Sequence, residues 1–198
     1  MRHETLLLKD HFDCICSEGS LDTYVLNNYD DIDKDRTRPA ILICPGGGYA
    51  MVSNRESECF AVRFLAQGYH AFVLKYSIAP ARFPTQLLEL AAAIALIRQN
   101  ATTWHVNPDQ IAVMGFSAGG HLAANLATMW NRPLLSNAFH LDSDVFAPNA
   151  MILSYPVITS GEFAHRGSFE NLLGENASDE QMRELSLEYA VGSHVPQT

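Results

Sequence analysis

Residues 111–123, Ile-Ala-Val-Met-Gly-Phe-Ser-Ala-Gly-Gly-His-Leu-Ala, leave the backbone few options. An apolar run of strand character meets Gly115-Phe-Ser117-Ala-Gly119, and an Ala- and Leu-rich helical pattern follows at once, up to Trp130. A strand that becomes a helix within one turn forces Ser117 into a strained backbone conformation, with its hydroxyl aimed away from the end of a sheet. Gly115 and Gly119 are the small neighbours that such a close crossing demands. Ser117 also opens the helix, so the amide of Ala118 is free to meet negative charge developing on a carbonyl oxygen. The plain alternative is a strand-to-helix turn with a capping serine.

A second glycine turn follows another apolar run. Ala40-Ile41-Leu42-Ile43-Cys44 reads as a strand covered on both faces, and it ends in Pro45-Gly46-Gly47-Gly48-Tyr49. Glycines leave main-chain amides unshielded, so Gly47 and Gly48 are candidates to aim N–H groups at the same oxyanion as Ala118. A nucleotide reading fails on spelling. A P-loop needs Gly-Lys-Ser/Thr where Gly48-Tyr49-Ala50 stands, and a dinucleotide loop starting at Gly46 needs a glycine where Met51 stands.

Strand-length apolar runs alternate with helical patterns along most of the chain, which predicts a doubly wound, mostly parallel α/β sheet. Strands are expected at 21–26 (half-buried, from its period-two alternation), 40–44, 70–75, 111–114 and 150–153. Helices are expected at 56–67, stopped by a left-handed Gly68, at 85–99, at 118–130, and at about 179–189, where Ser178 and Gln181 spell a capping box. Residues 27–38 read as one long polar turn, and 131–148 and 159–177 as irregular, cap-like segments of a single domain spanning 1–198.

Composition narrows the partners. With 13 basic and 22 acidic side chains the formal net charge is −9, and no Lys/Arg run makes a local exception, so neither nucleic acid nor an anionic membrane is an expected partner. Leu6-Leu7-Leu8 is too short for the core of a secretory signal and no stretch approaches membrane-span length, which predicts a cytoplasmic protein. Cys14, Cys16, Cys44 and Cys59 match no zinc spacing and are expected to be buried or inert thiols.

Taken together, these motifs resemble the α/β-hydrolase superfamily, in the esterase/lipase branch whose first loop reads His-Gly-Gly-Gly and whose serine turn reads Gly-x-Ser-Ala-Gly-Gly. Pro45–Tyr49, Ser53-Asn-Arg-Glu-Ser57, Tyr76-Ser-Ile-Ala-Pro80, Gly115–Ala123 and Tyr155-Pro-Val157 resemble small bacterial carboxylesterases related to acetyl-xylan esterases. The resemblance implies that Ser117 is the nucleophile and that the amides of Ala118, Gly47 and Gly48 form the oxyanion hole. It also implies a small acyl ester substrate, acetylated sugars among the candidates, and no metal or organic cofactor. Pro45 departs from the usual His, which matters little because the glycine amides do the work.

The larger departure lies downstream. The resemblance places the triad's acid and histidine beyond a helix ending like Leu187-Glu-Tyr-Ala190, in strands that these 198 residues do not contain. The expected fold therefore lacks its last strands and helix, the expected chain is a C-terminally truncated form, and its expected activity is weak or absent. The strand near Met151 becomes an open sheet edge, available for pairing in a homo-oligomer. His121 follows Ser117 by four residues and is expected to be structural. His140, His165 and His194, and the carboxylates of Asp142, Asp144 and Asp179, are poorly placed as substitutes. Two alternatives stay open: a non-catalytic binding or interaction module, and acyl transfer on thioesters or peptides.

Overall fold

The computed structural model describes residues 1–198 and contains one six-stranded sheet. Its strands are β1 (Arg2–Leu7), β2 (Ser20–Val25), β3 (Arg38–Cys44), β4 (His70–Lys75), β5 (Val106–Phe116) and β6 (Ala150–Ser154), in the spatial order β1-β2-β4-β3-β5-β6. β1 and β2 pair antiparallel, as do β2 and β4, whereas β4, β3, β5 and β6 run parallel. Seven helices accompany them: α1 (Glu58–Leu65), α2 (Thr85–Gln99), α3 (Ala101–Trp104), α4 (Ala118–Met129), α5 (Pro133–Phe139), α6 (Arg166–Leu173) and α7 (Asp179–Glu184).

The continuous apolar runs are explained by cover on both sides. Along β3, Ile41 and Ile43 join the smaller core with Ala61, Val73, Met114 and Phe116, against which Phe60, Phe64 and Leu65 of α1 pack. Their neighbours Ala40, Leu42 and Cys44 enter the larger core with Phe72, Leu74 and Val113 beneath α2 and α4. Every residue of α4 is buried and α2 is buried on nearly all sides, as expected of helices that are apolar all round. Gly68 takes φ +86° just after α1, and Ser178 and Gln181 make both bonds of a capping box at α7. Asn28 ties the long turn together, its amide donating to the carbonyls of Lys34 and Arg36 at 2.9 and 2.8 Å.

Several expectations need correction. β2 is buried along its length rather than half-buried, because β1, which the polar spelling Arg-His-Glu-Thr concealed, shields its outer side. Thr5 Oγ1 and Lys75 Nζ close on the buried Asp22 carboxylate at 2.6 Å each. Segments 131–148 and 159–177 are not simply irregular: they carry α5, a 3₁₀ turn at Ser143–Phe146, and α6. The last helix stops at Glu184 and re-forms as a 3₁₀ turn at Leu187–Tyr189. All four cysteines are free; Cys44 is buried, but Cys16 and Cys59 are exposed. Beside β6, Met151 donates its amide to Gln197 O at 2.9 Å in a single parallel bridge. No helix is long and apolar enough to cross a membrane.

Two buried polar groups fix the sheet's surroundings. Glu89 of α2 is fully buried and accepts from Ser17 Oγ (2.6 Å), Ser77 N (2.7 Å) and Ser77 Oγ (2.5 Å), joining the loop before β2 to the exit of β4. Glu89→Leu would strand those donors, and a loss of about 3 kcal/mol in urea-unfolding free energy is expected. His70 is fully buried; it accepts the amide of Leu26 at Nδ1 and donates Nε2–H to His105 O, so it is held neutral. Burial pushes its pKa down to about 4 from 6.5. The unfolded chain therefore takes up a proton that the fold refuses, and stability present above pH 6.5 is lost as pH falls towards 4, by about 3 kcal/mol at most. Imidazole NMR should show His70 still neutral at pH 5, and a ring that titrates near 6.5 would contradict this account.

Candidate active site

β5 ends at Phe116 and α4 begins at Ala118, leaving Ser117 alone between them at φ +51° and ψ −118°. Such a conformation costs a non-glycine residue of the order of 1–3 kcal/mol and persists only where its surroundings hold it. Both peptide groups of Ser117 are held: its amide donates to Ser154 O (3.1 Å), and its carbonyl accepts from Val157 N (3.0 Å) and His121 N (3.0 Å). The first two partners lie at the end of β6 and just beyond it. Close approach explains the glycines, since a Cβ at Gly119 would lie 2.1 Å from Cys44 O and one at Gly115 would lie 2.1 Å from Gly119 O.

Packing of Gly119 against Cys44 and Pro45 brings the turn after β3 beside the serine. Each carbonyl of that turn has a partner. Tyr76 Oη donates to Pro45 O (2.6 Å), Ser53 N to Gly46 O (2.9 Å), Ala50 N to Gly47 O (3.0 Å), Asn171 Nδ2 to Gly48 O (2.9 Å) and Ala79 N to Tyr49 O (2.8 Å). The amide of Gly46 donates to Glu56 Oε2 at 2.7 Å. The amides of Gly47, Gly48 and Ala118 donate to no protein acceptor. Gly47, at φ +134°, has no room for a side chain, as a Cβ there would lie 2.1 Å from Met51 O.

Ser117, Gly47 and Gly48 line one cavity of about 510 Å³. Ser53, Arg55, Glu56, Tyr155, His165 and Asn171 bring most of its polar side chains. Ser117 is partly accessible and its Oγ makes no hydrogen bond within the protein. The sequence reading attached no role to Glu56, Tyr155 or Asn171, although two of them stand in the stretches Ser53–Ser57 and Tyr155–Val157 that carried the resemblance.

The histidines separate clearly. His121 is buried behind the serine, donating Nε2–H to Leu185 O (2.9 Å) and accepting Tyr49 Oη–H at Nδ1 (2.8 Å). Burial lowers its pKa to about 4 and pushes that of Tyr49 well above the usual phenol value. Both ring nitrogens are thus occupied, and the ring braces the glycine turn against α4. His165 lines the cavity with Nδ1 bonded to Ser168 Oγ (2.9 Å). His194 is tied to Thr128 O (3.0 Å), and His140 caps α5 at φ +54°. Neither of these lines the cavity, nor do Asp142, Asp144 or Asp179.

Comparisons with known proteins agree with this fold. The BD-FAE family model matches residues 26–187, most of the chain. Endo-1,4-beta-xylanase B of Butyrivibrio fibrisolvens is 35% identical over 171 residues, covering 84% of this chain and 26% of that protein. The acetylxylan esterase of Xylanibacter ruminicola is 34% identical over 160 residues, covering 79% and 31%. The chain thus spans between a quarter and a third of the length of these curated relatives. Among solved structures, an acetyl ester-xyloside bifunctional hydrolase from Caldicellulosiruptor lactoaceticus superposes with a TM-score of 0.84 at 32% identity, covering 98% of this chain and 72% of that one. The carboxylesterase Cest-2923 from Lactobacillus plantarum gives 0.80 at 27% identity, covering 99% and 70%. With its strand-serine-helix turn, mixed six-stranded sheet and matched family model, the chain belongs to the BD-FAE family and has the α/β-hydrolase fold of these carboxylesterases.

Proposed function

We propose that this chain hydrolyses small carboxylic esters through an acyl intermediate on Ser117. The observation that carries the reading is an unbonded Ser117 hydroxyl, on a strained turn, lining one cavity with Gly47 and Gly48, whose amides are unbonded, as is that of Ala118 next to the serine. Ser117 Oγ bonds to the ester carbonyl carbon while its proton passes to solvent water, and the carbonyl oxygen, now anionic, turns into those amides. The carbonyl re-forms as the carbon–oxygen bond to the alcohol breaks, and the departing alkoxide takes a proton from solvent water. Water cleaves the acyl-serine, releasing the acid and restoring the hydroxyl.

The polar lining of the cavity, from Ser53 and Arg55 to Tyr155 and Asn171, suits an alcohol half rich in hydroxyls. Relatives named as an acetylxylan esterase and an acetyl ester-xyloside hydrolase support an acetylated sugar as substrate. On this reading residues 1–198 act as one hydrolase domain, with 159–177 as its cap, since that segment brings His165 and Asn171 to the cavity. Segment 131–148 packs instead towards α2, through Phe146 and the carbonyls of Val145 and Ala147 that hold Arg98.

No histidine of these residues hydrogen-bonds Ser117 Oγ, and His121 has no free nitrogen to take its proton. An oxyanion hole and binding alone retain about 10³–10⁴-fold over the reaction in water, so we expect turnover well below that of a serine with a bonded base. A fluorophosphonate probe and 4-nitrophenyl acetate test the reading. Labelling and turnover should both vanish in Ser117→Ala, and labelling that persists in the folded variant would sink it. Gly47→Ala, whose Cβ has no room beside Met51 O, should displace the glycine turn and lose about 100-fold in kcat, the effect of spoiling one oxyanion donor, with circular dichroism showing whether the rest of the fold is kept. Across acetate, butyrate and octanoate esters, the acetate should be hydrolysed fastest.

A further inference from the structure

Glu56 stands in the cavity wall on a 3₁₀ turn, Asn54–Glu56, that follows the glycine turn. Its two carboxylate oxygens face different partners. Oε2 accepts the Gly46 amide at 2.7 Å and Oε1 accepts the Tyr155 hydroxyl at 2.8 Å. The second bond holds the Tyr155 phenol in its protonated form, its pKa raised by Glu56. Tyr155 follows Ser154, whose carbonyl receives the Ser117 amide, and precedes Val157, whose amide meets the Ser117 carbonyl. One planar group therefore links the turn that carries the free amides to the segment that holds the serine backbone.

Gly46 is the hinge of this arrangement. It donates to Glu56 and accepts from Ser53 N, so both of its polar atoms are engaged. It also abuts the serine turn, since a Cβ on Gly46 would lie 2.8 Å from Phe116 O and 3.1 Å from Ser117 Cβ. A bond from an amide to an ionised carboxylate is about twice as strong as a neutral one. The Gly46 N–H is thereby withheld from any ligand, and the two glycine amides left over are those of Gly47 and Gly48.

We infer that Glu56 is a positioning residue: through Gly46 on one side and Tyr155 on the other, it sets where the Gly47 and Gly48 amides stand relative to Ser117 Oγ. The inference rests on the ester-hydrolase reading of those groups. Gln replaces it only in part: its oxygen can accept the Gly46 amide, but its NH2 meets Tyr155 Oη only as a donor, and both bonds lose the charge of the carboxylate. Tyr155 is exposed, so its hydroxyl serves the clamp and not the core.

The full chain provides the test, with Glu56→Ala, Glu56→Gln and Tyr155→Phe compared in kinetics and in amide hydrogen exchange. Glu56→Ala should lower kcat for 4-nitrophenyl acetate by about tenfold or more, the scale of misplacing one oxyanion donor, with KM within about twofold. Glu56→Gln should fall between it and the wild type, and Tyr155→Phe, which keeps the core intact, should lose a few-fold. Exchange should quicken across residues 46–51 in Glu56→Ala and stay slow in α2. An unchanged kcat, a loss confined to KM, or unaltered exchange at 46–51 would overturn the inference. Should the wild type lack turnover that depends on Ser117, the esterase reading fails by itself, and the exchange result alone then decides whether the clamp exists.

Discussion

Everything in the site depends on how closely two backbones pass. Gly119, in the first turn of α4, lies against the carbonyls of Cys44 and Pro45 at the end of β3, where a single extra carbon would come within 2.1–2.3 Å. That contact fixes the spacing between the serine turn and the glycine turn. It is possible only because β3 and β5 are parallel neighbours whose ends reach the same rim of the sheet. The apolar residues of both strands, covered on both faces, hold that rim rigid enough for sub-ångström placement to matter.

The glycine turn shows how such placement is achieved without secondary structure. Its carbonyls are claimed one by one by Tyr76, Ser53, Ala50, Asn171 and Ala79, which arrive from quite different parts of the chain. Tyr49 then buries its ring and reaches His121 on α4. A flexible spelling thus becomes an ordered loop in which a few N–H groups remain unspent. Tyr76, Ala79 and Asn171, which help to order it, are residues for which local pattern carries no information, because their partners are far away in sequence.

That difference separates what could be read from the chain from what could not. The parallel core strands, α2, the serine turn, the Gly68 stop and the capping box at Ser178 each rest on a signal contained within a few residues: apolar run length, helical period, or a donor and acceptor three positions apart. β1 was missed because an edge strand needs no apolar alternation, and its pairing with β2 is what changes β2 from half-covered to buried. α5 and α6 were obscured by Pro, Gly, Ser and Asn, whose weak helix preference is overridden by packing of Leu135, Phe169 and Leu172 into the main core. Glu56, Tyr155 and Asn171 stood in plain view, yet their meaning came only from what each touches.

The grip on both peptide groups of Ser117 has a consequence for how the molecule comes apart. Ser154 and Val157 flank the exit of β6, and Ser117 lies at the exit of β5, so the bonds that sustain the strained turn are an extension of the ladder between those two strands. Apart from the bond from His121 N to the Ser117 carbonyl, the hydrogen bonds that hold the turn come from the neighbouring strand and its exit. Partial denaturation of surface segments such as α7 should leave it untouched, whereas separation of β5 from β6 would release it in one step, making its shape a sensitive reporter of whether that edge of the protein is still closed.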